Sequence, residues 1–275
     1  MAGAERRFGT AFWCAVAWIV TLVAAAVLAV WLPLPSPTDM DMLDARALPS
    51  FAHWLGTDGL GRDVASRLVF GAQTSLTVGL VAPMIGLSVG GAAGMLAGYF
   101  RGRLDTFVVG GVDVLLAFPP LVLALAVIAY LGQSVLNLTL ILGVLGIPAF
   151  TRVARAATLV YAQREFVTAA RALGATHTRI LLHELLPNVM LPLAAFLLVA
   201  VAVTIVVEGA LSFLGLGVPP PQPSWGSMIG EGRESLESAA WLAFTPAVVM
   251  FVTVLAFNLV GDTLRAITDP RRASL

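Results

Sequence analysis

The residues able to do chemistry in this sequence are few and widely spaced. Two carboxylates, Asp113 and Glu208, fall inside long apolar runs. A central acid costs about 2.5–3.5 kcal/mol on membrane-insertion scales, so each needs a partner or water, and each is a candidate residue of a polar translocation path. A structural hydrogen bond near the end of a span is the competing reading, since neither acid lies at the midplane. His53, His177 and His183 stand outside the apolar runs, which leaves no intramembrane histidine relay and no His-rich metal site to propose. His183 and Glu184 are adjacent, roughly 100° apart on a helix, and joint ligation by that pair is unfavourable. All 16 basic residues are arginine. Without lysine there is no phosphate-binding loop of the G-x-x-x-x-G-K-[ST] type and no Schiff-base nucleophile, so ATP chemistry must belong to a partner. The single cysteine, Cys14, excludes intrachain disulfides and reads as small apolar filler.

The elements that carry these residues must lie in a bilayer. Of 275 residues 59% are apolar and 12% charged, with a mean hydropathy of +0.91. A soluble domain has about 45–50% apolar and about 25% charged residues, so this chain has too few polar groups for a fully water-facing surface. Net charge is zero, and nothing global points to nucleic acid. Uncharged or nearly uncharged runs predict six spans of one transmembrane domain, 1–275, at about 11–32, 72–99, 107–131, 134–151, 189–216 and 240–261. The first run, preceded by Arg6 and Arg7, is longer than the apolar part of a signal peptide, and a retained span is expected. With six spans, 12 arginines fall on the side of the termini and four, Arg46, Arg62, Arg67 and Arg233, on the other. The positive-inside rule then makes both termini and the long 152–187 loop cytoplasmic.

Two spans carry backbone signals. Gly86, Gly90, Gly94 and Gly98 recur every fourth residue, a bare stripe on which a neighbouring helix can pack closely. Phe118-Pro119-Pro120 should bend or break the third span. In the cytoplasmic loop, a short helix with Phe166, Ala170 and Leu173 on one face should stop at Gly174. A second helix should start after Thr176 as N-cap and bury Ile180, Leu181 and Leu185, and Pro187 should interrupt it before the fifth span. Such a projection suits docking by a cytoplasmic partner, or an amphipathic helix resting on anionic lipid.

The segment Phe166-Val-Thr-Ala-Ala-Arg-Ala-Leu-Gly174, followed by Leu186-Pro187-Asn188, resembles the EAA coupling loop of bacterial ABC-importer permeases, with 13 residues from glycine to proline. His53-Trp-Leu-Gly-Thr-Asp-Gly-Leu-Gly-Arg-Asp63 is similar to the segment before the second span in the dipeptide, oligopeptide and nickel group, in the second permease of the pair. Leu211-Ser-Phe-Leu-Gly-Leu-Gly217, Ser224-Trp-Gly226, Phe257-Asn-Leu-Val-Gly-Asp-Thr-Leu-Arg265 and Asp269-Pro-Arg271 resemble that group's later motifs in order. Thr168 takes the first glutamate position of the EAA pattern, Glu184 stands where the pattern is apolar, and Ala266 replaces a common aspartate.

The resemblance implies an all-α polytopic protein of the bacterial cytoplasmic (inner) membrane, with six transmembrane helices in the type I ABC-importer permease fold. It implies a non-enzymatic subunit that forms half of a path for peptides or a similar small solute, nickel or a metal chelate being the alternative. ATP and Mg would be bound by partner subunits and no cofactor by this chain. The implied partners are a second homologous permease, two ATP-binding subunits, an extracytoplasmic solute-binding protein and membrane lipid. The implied coupling residues are Phe166, Thr168, Ala169, Ala170, Arg171, Gly174, Ala175, Leu186 and Pro187. An ion-coupled secondary transporter would instead show internal repeats and midplane ionisable groups, and a membrane scaffold would need no cavity.

Overall fold

The computed structural model describes residues 9–268, which form helices and one isolated bridge between Thr57 and Asp63. Arg6, Arg7 and the Asp269-Pro-Arg271 motif lie outside the described residues. The helices are α1 (Thr10–Leu28), α2 (Val64–Ile85), α3 (Gly91–Phe100), α4 (Gly102–Leu116), α5 (Pro120–Leu131), α6 (Val135–Tyr161), α7 (Glu165–Ala172), α8 (His177–Arg179), α9 (Leu186–Phe213), α10 (Trp225–Arg233) and α11 (Trp241–Thr268). Two wide π turns, Gly86–Gly90 and Ile180–Leu185, join α2 to α3 and α8 to α9 without ending the helical run.

Five helical runs are long and apolar enough to cross a membrane: Thr10–Trp31, Val64–Phe100, Val135–Tyr161, His177–Phe213 and Trp241–Ala266. The pair α4 and α5 makes a sixth when counted as one broken span, bent by 77°. The break falls at Phe118-Pro119-Pro120, where proline supplies no N–H to the ladder and its ring crowds the preceding turn. Large apolar side chains such as Val20, Phe107, Tyr130 and Phe251 point outward, as a surface solvated by lipid or by partner helices requires. Cys14 is among the outward residues of α1, so it fills no core, contrary to the sequence expectation. Of α1 only the small residues Ala15 and Ala26 are buried, and Trp18 Nε1 donates to Thr253 Oγ1 of α11 at 3.1 Å.

By its contacts the chain divides into two compact units. Among the described residues the first comprises 9–80, Leu125–Thr139 and Val201–Leu259, and the second comprises Val81–Ala124, Leu140–Ala200 and 260–268. Within the second unit the glycine stripe packs against α6. A Cβ built at Gly86 would stand 2.8 Å from the Phe150 ring, one at Gly90 2.5 Å from the Ile147 carbonyl oxygen, and one at Gly98 2.9 Å from the Arg155 carbonyl oxygen. At Gly94 it would overlap the Thr151 carbonyl. Ile147, Thr151 and Arg155 are themselves four apart, so two helical ladders meet backbone to backbone, and any side chain would push them apart.

Candidate functional site

The loop 152–187 is built in the second unit. Helix α7 ends in a Schellman turn: Ala175 N–H donates to the Ala170 carbonyl and Gly174 N–H to the Arg171 carbonyl, both at 3.0 Å. Gly174 has φ +79°, the left-handed geometry that closes such a turn, and open space surrounds it. Thr176 then caps the next helix, accepting the Arg179 N–H at 3.4 Å. Both features follow the sequence expectation, whereas two others are corrected.

The face of α7 that turns inward is Val167 with Ala170, and Phe166 and Leu173 are exposed. Ala170 belongs to either stripe, but Val167 fits the pocket formed by Met95, Tyr99, Ile180, Leu181 and Leu185. Pro187 also fails to interrupt the second helix, which runs unbroken through it into α9. The π turn before it already departs from the ordinary ladder, and position 187 falls in the first turn of α9, where a missing N–H costs little. The loop thus buries one side on α3 and presents Phe166, Thr168, Ala169, Arg171, Leu173 and Gly174 on the other. Ala175 and Leu186 are half-buried against the same cluster, and Pro187 is exposed.

Sequence reasoning missed what fixes that loop. Tyr99, near the end of α3, shares a hydrogen bond with His177 Nδ1 at 2.8 Å, and the Arg171 guanidinium lies over its ring at 5.4 Å. One buried aromatic therefore holds both sides of the Gly174 turn. The available signal was a tyrosine at the end of the glycine-striped helix, and nothing in the spacing ties it to residues 171 and 177.

The two intramembrane acids have different surroundings. Asp113 of α4 accepts from Arg152 Nη2 of α6 at 2.9 Å, and both side chains are more than half exposed. One helical turn further along α6, Arg155 makes a two-pronged contact with Asp105, so α4 is fastened to α6 twice. These four residues belong to the second unit.

Glu208 lies in the first unit with no exposure. Its Oε1 accepts from Ser212 Oγ at 2.6 Å and its Oε2 from Ser75 Oγ at 2.9 Å, while Ser75 Oγ accepts the Trp225 N–H at 3.2 Å. The acid joins α2, α9 and α10 and is enclosed by them. Ser212 stands one turn along the same helix, where spacing alone puts it beside the acid, whereas Ser75 comes from another helix.

The first unit also gathers the charges of the expected outer segments. Asp58 accepts from Arg62 Nε at 2.7 Å, and Glu231 Oε2 accepts from Arg62 Nη2 at 2.6 Å and Arg67 Nη2 at 2.8 Å. His53 Nδ1 contacts Asp63 at 2.9 Å, and Asp63 also accepts the Ser66 N–H at 2.6 Å, capping α2. Among the described residues no cluster of three or more His, Cys, Asp or Glu could hold a metal ion.

Residues 90–274 match the family described as binding-protein-dependent transport system inner membrane component. The glutathione transport system permease protein GsiD of Pectobacterium atrosepticum is 39% identical over 258 residues, covering 94% of this chain and 86% of the relative. GsiD of Escherichia coli O6:K15:H31 is 41% identical over 255 residues, covering 92% and 84%. In fold, the chain is similar to a chain of the MetNI methionine ABC transporter in inward-facing conformations, with a TM-score of 0.61, 21% identity, and coverage of 73% of this chain and 96% of that one. A second crystal form of the same transporter gives a TM-score of 0.56 at 20% identity, with coverage of 73% and 95%.

Proposed function

The chain belongs to the binding-protein-dependent transport system inner membrane components, and from that membership we propose that it forms half of the translocation path for peptide-class solutes, glutathione among them. It is a permease of a multi-subunit ABC importer in the inner membrane, with the type I permease fold. In this reading a second homologous permease completes the path, two ATP-binding subunits supply ATP, Mg and hydrolysis, and an extracytoplasmic binding protein delivers the solute. The chain itself carries no cofactor.

The observation that carries the mechanism is the two-faced loop. Its inner face, Val167, Ile180, Leu181 and Leu185, is buried on Met95 and Tyr99 of α3, while Phe166, Thr168, Ala169, Arg171 and Leu173 remain exposed for a partner. A partner that moves when it binds and hydrolyses ATP would push on the exposed face, and the buried face would pass that displacement to α3, which is locked to α6 by the glycine stripe. Leu186 and Pro187 lead the same run into α9. Thr168 in place of the usual acid makes the contact less charged, and Arg171 and Arg179 are exposed cations on either side of the turn. Asp113, exposed and paired with Arg152, is the intramembrane acid open to a wet path in this reading, and Glu208 acts as an internal tie.

Gly174→Val tests the coupling. Space is open around Gly174, so the only penalty is a β-branched residue forced to positive φ. The expected result is normal abundance and membrane insertion, with ATP-driven uptake and solute-stimulated ATP hydrolysis lost together in the reconstituted complex. Thr176→Ala, which removes one cap worth about 1 kcal/mol, should retain most of both. Normal uptake by Gly174→Val would show that the loop does not couple.

A further inference from the structure

A cavity of about 440 Å³ opens in the first unit beside α2, walled by the segment after α1, the start of α6 and the segment before α10. Phe70, Val135 and Pro223 supply apolar wall, and Thr38, Gln73, Thr74, Thr77 and Gln222 supply polar groups. Ser66 Oγ donates to the Pro35 carbonyl at 2.6 Å, which ties the Thr38 segment to α2, and the capping box of Ser224 and Ser227 fixes the end of the Gln222 segment. None of the described residues lining the cavity is charged.

The polar groups are not equivalent. Thr74 and Thr77 spend their hydroxyl protons on the helix carbonyls of Phe70 and Gln73, at 3.4 and 2.6 Å, so toward the cavity they can only accept. Thr38 shares a hydrogen bond with Ser36 Oγ at 3.2 Å. Gln73 and Gln222 are exposed, and among the described residues their side-chain amides have no hydrogen-bond partner. Gln73 and Thr77 fall in the span expected at 72–99, where an amide turned to hydrocarbon would go unsatisfied, so this face needs a polar occupant or water. Polar groups that converge from separate segments on one hollow fit a small solute better than a packed helix, which meets a continuous face. Each primary amide offers an acceptor and two donors, the complement of a peptide group's N–H and C=O. An ion entering this lining would lose water without meeting a counter-charge, and a transition metal would find no imidazole, thiolate or carboxylate.

We infer that this cavity is a peptide-bond subsite, in which Gln73 and Gln222 exchange hydrogen bonds with a backbone amide of the solute at the extracytoplasmic mouth of the path. The inference rests on the peptide-class solute and the sidedness proposed above, since every peptide carries such a group whatever its side chains. The exposed position of both glutamines leaves the charged ends of the solute in water, and its side chains go unread.

The test uses the assembled importer complex in nanodiscs, without the solute-binding protein, titrated calorimetrically with alanyl-alanine and with alanyl-lactate, the ester that keeps both charged ends but lacks the peptide N–H. Wild type should bind the peptide about fivefold more tightly than the ester, the size of one neutral hydrogen bond. The double variant Gln73→Leu, Gln222→Leu should bind the two alike. Gln133→Leu, which removes an amide that donates to the Gly215 carbonyl outside the cavity, should keep the preference. Equal binding or no binding of peptide and ester by wild type would overturn the subsite whatever the stability of the variants, as would an undiminished preference in the double variant. Loss of the second permease from the purified double variant would assign the glutamines to the contact between permeases and overturn the subsite too. ATP-driven uptake of alanyl-alanine by the complete importer separates the two claims. Uptake without peptide preference overturns the subsite alone, whereas peptide preference without ATP-driven uptake supports the subsite and overturns the transport reading.

Discussion

Glu208 shows how the chain keeps a carboxylate inside a membrane span. Each oxygen takes one serine hydroxyl, and Ser75 passes the link on to the Trp225 backbone. Glu208→Leu would leave two buried hydroxyls without their acceptor, at about 1–3 kcal/mol each, while Glu208→Gln keeps an acceptor and can reorganise around its NH2. In detergent, thermal unfolding of the permease should therefore drop far more for leucine than for glutamine; equal losses would remove the hydrogen-bond account. The need for partners at Asp113 and Glu208 was legible in the sequence, because acids in apolar runs are costly. Of their partners only Ser212, one helical turn from Glu208, was legible too. Arg152 is 39 residues from Asp113, and Ser75 is 133 residues from Glu208, separations that only helix packing closes.

Helix α3 and the turn before it meet α6 over three helical turns with glycine on one side and carbonyl oxygens on the other. Gly90→Leu or Gly94→Leu should separate these helices, with an overpacking cost on the order of 1–3 kcal/mol, and reduce assembly or uptake. Leu96→Met, off the stripe and partly exposed, should be tolerated. Equal damage at Leu96 and Gly94 would contradict the packing argument. The stripe was legible because a four-residue period maps directly onto one helix face. The Schellman stop at Gly174 and the Thr176 cap were legible for a similar reason, since both are set by neighbours in the chain. The inward face of α7 was not, because the stripes through Phe166 and Val167 share Ala170, and the choice is made by the shape of the cavity beside Met95 and Tyr99. The two π turns were also beyond reach, because they change the helical register with no dedicated residue pattern.

At the scale of the whole molecule, composition and the arginine distribution set the environment and the sidedness, and the helices have the lengths that a bilayer requires. Single cysteines at Ser50 and Thr176, both exposed, in a Cys14→Ala background, should label from opposite sides of oriented membranes. Labelling from one side would overturn the six-span arrangement. In the proposed mechanism energy enters through the 152–187 loop from ATP-binding partners, in place of an ion gradient acting on intramembrane acids. The most direct measurement is glutathione uptake by proteoliposomes holding the complete importer, with the binding protein supplied on the side opposite to ATP. Uptake should require hydrolysable ATP and persist when proton and sodium gradients are collapsed. Uptake that proceeds without ATP and vanishes with the gradients would contradict the account.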